Sequence, residues 1–335
     1  MLLHILDTLQ YNKDLQSLGK ILNELPESVI LSAQVHNQWF SPQFSLMAAK
    51  NWAMALNESD INTWLEAVKP SNEIKQVGII MAGNIPFVGL HDLLSVLASG
   101  NKALVKLSST DEILMKFIIK SLIEINPSYA QKIEIVERLN SADMVIATGS
   151  DNSARYFDYY FRDKKTLIRK NRTSIAILTG NESKEQLEAL ADDIYMYYGM
   201  GCRNVTHLLM PKTIDLHAFY TALDKYINHV NHHKFYNNYM YHKSILLMNL
   251  TKHYDNGFMI FQEKDELNAP LATLNYHYYE NDNDILQYID KYKDQLQCIV
   301  SGHPAVKEGI PYGTSQSPAL WHYADNINTL AFLNN

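Results

Sequence analysis

The residue in this chain best suited to covalent chemistry is Cys202, in the stretch "DDIYMYYGMGCRNVTHLLMP" (192–211). The stretch reads as the end of an amphipathic helix, a Gly-Met-Gly hinge, the cysteine, and an apolar strand from Val205 to Met210. A thiol at such a hinge is either a packed small hydrophobe or a nucleophile. Free cysteine is among the most buried residue types, whereas reactivity asks for an accessible, electropositive niche. The only other cysteine, Cys298 in "LQCIVSG", sits inside a strand-like run and reads as packed. His229 and His233 are four residues apart, which is zinc-ligand spacing on a helix. No third ligand with a suitable motif accompanies them, so they read as solvated or stacking side chains and no metal site is assigned. The chain lacks G-x-G-x-x-G after its first strand, G-x-x-x-x-G-K-[ST] and G-x-S-x-G. The usual dinucleotide fingerprint, phosphate loop and nucleophile elbow are therefore absent.

The elements that must position these residues alternate between two periodicities. Residues 1–70 read as helices joined by polar turns. "IKQVGIIMAG" (74–83) is a short β-branched run, which predicts a buried strand. Residues 87–99 have helical spacing and stop at Gly100, and "KALVKLS" (102–108) predicts the next strand. Strand, helix, strand with short links implies a parallel sheet covered on both faces. The pattern continues with a helix at 111–124, strands at 132–137 and 144–150, a helix near 152–161 and a strand at "TSIAILTG" (173–180). This is a doubly wound nucleotide-binding sheet. A second α/β unit opens at Ser183 with a Ser-x-x-Gln capping box; strands are expected at 205–210, 244–249 and 296–300, and the tail "NINTLAFLNN" as a terminal strand.

Composition bounds the class. At 335 residues and 47% hydrophobic content the chain can form about two domains. Two cysteines build no disulfide framework, which suits a reducing, cytoplasmic setting. The N-terminus carries neither a basic n-region nor a small-residue cleavage site, and no apolar run is long enough to span a bilayer. A formal charge of −7 without a basic stripe argues against a nucleic-acid partner.

Four stretches, in order, carry a resemblance. "GNIPFVGLHDLLSVLASGNKALVKLSS" is similar to the aldehyde dehydrogenase segment in which an Asn-x-Pro loop precedes a helix, a Gly-Asn turn and a strand ending in lysine. "ATGSDNSARYF" (147–157) resembles that superfamily's Gly-Ser nucleotide loop, and "YYGMGCRNVTHLLMP" its nucleophile loop. "DELNAPLATLNYHYYENDNDILQYIDKY" resembles its acidic-then-proline motif with the following helix. The matches cover roughly residues 74–300. "GNIPFVG" and the ending "GIPYGTSQSPALWHYADNINTLAFL" resemble one branch, the LuxC-like acyl-CoA reductases.

The resemblance implies an α/β, aldehyde-dehydrogenase-like fold: a doubly wound nucleotide-binding sheet plus a second α/β catalytic domain. The expected divisions are 1–173 (N-terminal helices and nucleotide-binding domain), 174–310 (catalytic domain) and 311–335 (C-terminal return segment). It implies that Cys202 is the nucleophile. Asn84, with the backbone N–H of Cys202, would form an oxyanion hole of the kind worth roughly 3–4 kcal/mol per donor. By the same resemblance Lys106, Ser108, Ser109, Gly149, Ser150 and Glu266 would bind the cofactor. Ser109 stands where NAD-preferring relatives usually carry a glutamate, which tilts the choice to NADPH, with NADH as the alternative. Ala154 departs from the family's usual glycine, so the pyrophosphate is expected to lie differently. The run "LIRKNRTSIAIL" (167–178) lacks the water-activating glutamate of aldehyde-oxidising relatives and offers Arg169, Lys170 and Arg172, whose charge would lower the thiol pKa. That suits reduction of a fatty acyl thioester (acyl-CoA or acyl carrier protein) through an acyl-cysteine, in a homo-oligomer. Two alternatives stay open: a short-chain CoA-acylating aldehyde dehydrogenase, and a catalytically degenerate nucleotide-binding relative.

Overall fold

A computed structural model describes residues 2–69, 73–149 and 151–334. The chain divides into two compact units, residues 1–171 with 317–335, and residues 172–316.

The first unit opens with four helices, α1 (Leu2–Asn23), α2 (Glu27–His36), α3 (Pro42–Ala55) and α4 (Glu58–Leu65). The starts of α3 and α4 are capped by side chains, Ser41 accepting from the Phe44 N–H and Asn57 from the Asp60 N–H. The sheet then forms from β1 (Gln76–Ile80), α5 (Leu90–Ala98), β2 (Lys102–Lys106), α6 (Glu112–Ile125), α7 (Tyr129–Lys132), β3 (Ile133–Ile135), β4 (Met144–Thr148), α8 (Asp151–Tyr160) and β5 (Lys165–Arg169). All pairings are parallel, in the order β3-β2-β1-β4-β5. Val77, Ile79, Leu104, Val105, Val145 and Ile146 are all but fully buried, as strands covered on both faces must be. The order reverses between β1 and β4, and in such sheets ligands bind outside the carboxyl ends of the strands at that crevice.

The second unit contains β6 (Thr173–Ile177), α9 (Lys184–Tyr195), β7 (Val205–Pro211), α10 (Leu216–Leu223), α11 (His233–Met248), β8 (Tyr254–Asp255), β9 (Ile260–Glu263), β10 (Thr273–Tyr279), α12 (Asp282–Tyr292) and β11 (Leu296–Ser301). Its sheet runs β11-β6-β7-β10-β9-β8, parallel except for the β8–β9 pair. The predicted capping box at Ser183 is present. A final helix, α13 (Thr329–Asn334), belongs to the first unit.

Three expectations need correction. Residues 244–249 are the end of α11 and not a strand, because "SILLMN" continues a helix that starts at His233. The tail forms α13 in place of a terminal strand. The run "TSIAILTG" belongs to the second sheet; the fifth strand of the first sheet is β5, "KTLIR", whose polar ends hide its strand character.

The return segment is tied to the first sheet by Arg169. Its guanidinium lies 2.5 Å from Asp92 Oδ1 and donates to the Ala324 carbonyl and the Thr329 hydroxyl, both at 2.8 Å. Arg169 and Asp92 are both buried, so each charge depends on the other. Removing one partner strands the other: Asp92→Ala is expected to cost about 3–5 kcal/mol, with Asp92→Leu/Arg169→Met recovering most of it. Urea denaturation of the two variants checks this.

Candidate functional site

Of the expected site residues, Asn84, Lys106, Ser108, Ser109 and Gly149 lie at or just past the carboxyl ends of strands in the first sheet. Asn84 is exposed on the turn after β1, and that turn is pinned from both sides. The Thr110 hydroxyl donates to the Gly83 carbonyl at 2.8 Å, and the Phe87 N–H donates to Asp111 Oδ2 at 2.9 Å. Phe87 is fully buried with φ +61°, a strained conformation for a bulky residue that the surrounding packing must impose. At Gly83 a Cβ would stand 2.3 Å from Thr110 Oγ1, so only glycine lets the two loops approach. Burial pushes the Asp111 carboxyl well above the ordinary range, opposed by the Phe87 N–H, and its Oδ1 makes no hydrogen bond. The sequence reading passed over Thr110 and Asp111; their position one turn after Lys106 was the available signal.

Lys106 is exposed at the end of β2. Ser108 shares a 2.8 Å hydrogen bond with Thr110, so its hydroxyl is part of the cross-tie. Ser109 is exposed, and its carbonyl accepts from His36 Nε2 at 2.5 Å. Gly149 follows β4; a Cβ there would stand 2.9 Å from that of Ser153 in the first turn of α8. Ser150 lies outside the described residues. Ala154 is buried.

Cys202 and Glu266 lie in the second unit, Cys202 on the turn before β7 and Glu266 in the connection between β9 and β10. The helix α9 ends in a run of left-handed residues, Tyr197 (φ 54°), Tyr198 (φ 57°) and Gly199 (φ 77°). A tight turn follows, the Asn204 N–H donating to the Gly201 carbonyl at 3.0 Å. Asn204 is wholly buried and closes the turn with its side chain. Its Oδ1 accepts from the Gly201 N–H at 2.8 Å, and its Nδ2 donates to the carbonyls of Asp193, Ile194 and Met196 at 3.2, 3.2 and 2.9 Å. The otherwise unpaired carbonyls of the helix end are satisfied by the residue that shapes the cysteine turn. Cys202 is half-buried on this turn.

Ser174, on β6, donates its hydroxyl to the Cys202 carbonyl at 3.1 Å and contacts Cys298 Sγ at 3.0 Å. Ser174 has one hydroxyl hydrogen, so the Cys298 thiol must donate to it. Burial pushes that thiol up, against the pull of the Arg203 guanidinium, so Cys298 is held as the neutral thiol. In the basic run, Arg169 is engaged by Asp92, Arg172 donates to the Leu296 carbonyl at 3.0 Å, and Lys170 is exposed. The Arg169 charge is therefore already neutralised within the first unit. The cation that acts on Cys298 is Arg203, the residue after Cys202 in the chain, which no motif marks.

Glu266 is exposed, its carboxylate 2.6 Å from Lys264. Its backbone is held from below: its carbonyl accepts from His207 Nδ1 at 3.0 Å and Asn275 Nδ2 at 2.9 Å, and the Thr206 hydroxyl donates to the Leu267 carbonyl at 3.1 Å. A ladder of hydroxyls joins this segment to the cysteine turn, Thr206 Oγ1 lying 2.6 Å from Thr173 Oγ1, which reaches the Asn204 carbonyl at 3.5 Å. His229 is buried against Tyr195, Tyr198 and Tyr226 with Nε2 on the Tyr195 carbonyl, and it lies in a 3-10 segment (Asp224–Asn231), not on the helix that carries His233. Among the described residues no helix is long and apolar enough to cross a membrane.

His207 is fully buried, and its Nε2 accepts from His277 Nδ1 at 3.0 Å when Nδ1 donates to Glu266. Burial lowers its pKa to about 4, so the unfolded chain takes up a proton between about 6.5 and 4 that the folded chain refuses. The stabilisation is present above about 6.5 and is lost as pH falls. His207→Gln is expected to reduce the loss of unfolding free energy between pH 7 and pH 5 by about 2 kcal/mol, measured by urea denaturation at the two pH values.

A model of the acyl-CoA reductase (LuxC) family matches residues 66–304, more than two thirds of the chain. A long-chain acyl-protein thioester reductase from Aliivibrio fischeri is 24% identical over 142 residues, and the match spans 37% of this chain and 29% of that relative's length. Among solved structures, an indole-3-acetaldehyde dehydrogenase complexed with NAD+ superposes with a TM-score of 0.66 at 13% identity, covering 89% of this chain and 73% of the other. An NAD-dependent benzaldehyde dehydrogenase from Corynebacterium glutamicum gives 0.65 at 9%, covering 88% and 76%. The fold is that of the aldehyde dehydrogenases, and the chain belongs to the acyl-CoA reductase (LuxC) family.

Proposed function

We propose that the protein reduces a fatty acyl thioester, carried on coenzyme A or acyl carrier protein, to the aldehyde, in a reducing cytoplasmic setting. The observation that carries the reading is the Cys202 turn, fixed by Asn204 and Ser174 in a chain of the acyl-CoA reductase family. The Cys202 thiolate attacks the thioester carbonyl, the acyl group passes to sulfur, and the carrier thiol leaves with the proton. The Asn84 amide and the Cys202 N–H stabilise the oxyanion as charge develops on the carbonyl oxygen. A reduced nicotinamide nucleotide supplies the hydride that converts the acyl-cysteine to a thiohemiacetal, whose collapse releases aldehyde and regenerates the thiolate.

The residues at the carboxyl edge of the first sheet fit such a nucleotide. Lys106 and Ser109 are exposed there, and the nearest acids are committed elsewhere, Asp111 to Phe87 and Glu112 to Lys116. A cation and a hydroxyl without a facing carboxylate suit a ribose bearing a 2′-phosphate, so the cofactor is NADPH in preference to NADH. Gly149 and Ser150 would meet the phosphates before α8, and Glu266 the nicotinamide ribose. The name of the Aliivibrio fischeri relative supports a long acyl chain.

Incubated with an acyl-CoA and no reductant, the protein should gain the mass of one acyl group, lost in Cys202→Ala and kept in Cys298→Ala. Without a carboxylate in the 167–178 run to activate water, free acid should form slowly, since general-base help is typically worth 10²–10⁴-fold. Rapid turnover to acid that needs Cys202 would sink the reductase reading, and so would an adduct on Cys202→Ala.

Calorimetric titration tests the cofactor. The native protein should bind NADPH at least as tightly as NADH, and Ser109→Glu should reverse the preference by repelling the 2′-phosphate. An unchanged ratio removes Ser109 from the site.

A further inference from the structure

The end of α11 breaks two rules at once. Its first turns are anchored, Phe235 and Tyr239 being buried and the Tyr239 hydroxyl donating to Asp255 at 2.7 Å. Beyond them the helix runs out of cover: Leu247 is 55% exposed, Met248 83% and Leu250 92%. Scattered exposed apolar residues need no explanation, but a contiguous apolar tip does.

The second anomaly is conformational. The helix closes with the Thr251 N–H donating to the Leu246 carbonyl at 2.9 Å and the Leu250 N–H to that of Leu247 at 3.1 Å. This pattern places the residue after the cap in the left-handed region, where glycine is usual. Here it is Leu250, at φ +51°. A leucine that pays backbone strain and contacts almost nothing in its own chain is unexplained by folding.

Charge indicates what the tip meets. Residues 226–254 contain no Asp or Glu, in a chain of formal charge −7. Lys243 is neutralised by Asp255 at 2.5 Å, which leaves Lys234 and Lys252 as the lysines of the stretch. Directly after Leu250, the residues Lys252, His253 and Tyr254 line, together with Glu263 and Tyr276, a cleft of about 360 Å³. An apolar tip followed within four residues by a lysine, a histidine and a tyrosine is the arrangement of an interfacial anchor, in which leucine and methionine enter the acyl region and lysine and tyrosine stay at the headgroups.

We propose that the tip formed by Leu247, Met248 and Leu250, with Lys252 and His253 behind it, docks the protein reversibly on an anionic lipid surface. A single short tip gives weak, reversible binding that falls with added salt. The proposal does not depend on the reductase reading.

The test is co-sedimentation of the full chain with vesicles of phosphatidylcholine alone or mixed with phosphatidylglycerol. The native protein should partition at least fivefold more onto the mixed vesicles, and Met248→Ser and Lys252→Glu should each reduce that binding severalfold. Leu250→Gly separates function from folding, because glycine relieves the left-handed strain: its thermal stability should equal or exceed the native value while its vesicle binding falls. Turnover of a soluble short-chain acyl thioester should not change in any of these variants, and its absence in the native protein would count against the reductase reading alone. Equal indifference to both vesicles, binding unchanged in Leu250→Gly and Met248→Ser, or a concentration-dependent dimer that Met248→Ser dissolves would each overturn the proposal; the last would assign the tip to a second copy of the chain.

Discussion

Parallel strands covered on both faces bury every side chain along their length, so reactive groups can stand only where strands begin or end. The central strands of both sheets obey this constraint. In the first, Asn84, Lys106, Ser109 and Gly149 follow the carboxyl ends of β1, β2 and β4 beside the point where strand order reverses. In the second, Cys202 precedes β7 and Glu266 lies in the connection from β9 to β10. Within each unit, neighbouring side chains hold these short connections still, since a loop without packing cannot keep a reactive group in place.

The holding is done by buried polar side chains more than by apolar packing. Asn204 satisfies the end of α9 and the cysteine turn together, and His207, Asn275 and Thr206 hold the Glu266 segment through its carbonyls. Asp193 works likewise: its carboxylate accepts from the Gly313 and Ser315 N–H groups at 2.6 and 2.9 Å, fixing the segment that leaves the second unit. Burial outweighs those bonds and pushes its pKa up to about 6. Each such group is expensive unless paired, which makes it specific: few arrangements of the loops satisfy all of them.

Cys202 and Cys298 show how environment separates two identical side chains. The Cys298 thiol is hydrogen-bonded to the Ser174 hydroxyl and is disfavoured as a thiolate by burial. Ser174 also holds the Cys202 carbonyl, so the inert cysteine helps to position the turn of the other.

Short-range pattern was enough to read the alternation of β-branched runs and amphipathic helices, the capping box at Ser183 and the hinge before Cys202, because each depends on neighbours within a few residues. The order of four weak motifs carried the family. Sequence could not say that "SILLMN" would stay helical, since a short apolar run fits either period until its partners are known. It could not assign "KTLIR" and "TSIAI" to different sheets, because strand pairing joins residues far apart in the chain. Nor could it find Asn204, Ser174, His207 or Asp111 as supports, or see that Arg169 is consumed by Asp92, 77 residues away. Residue type and local order belong to the chain; which buried donor meets which acceptor is decided only when the tertiary structure closes around both.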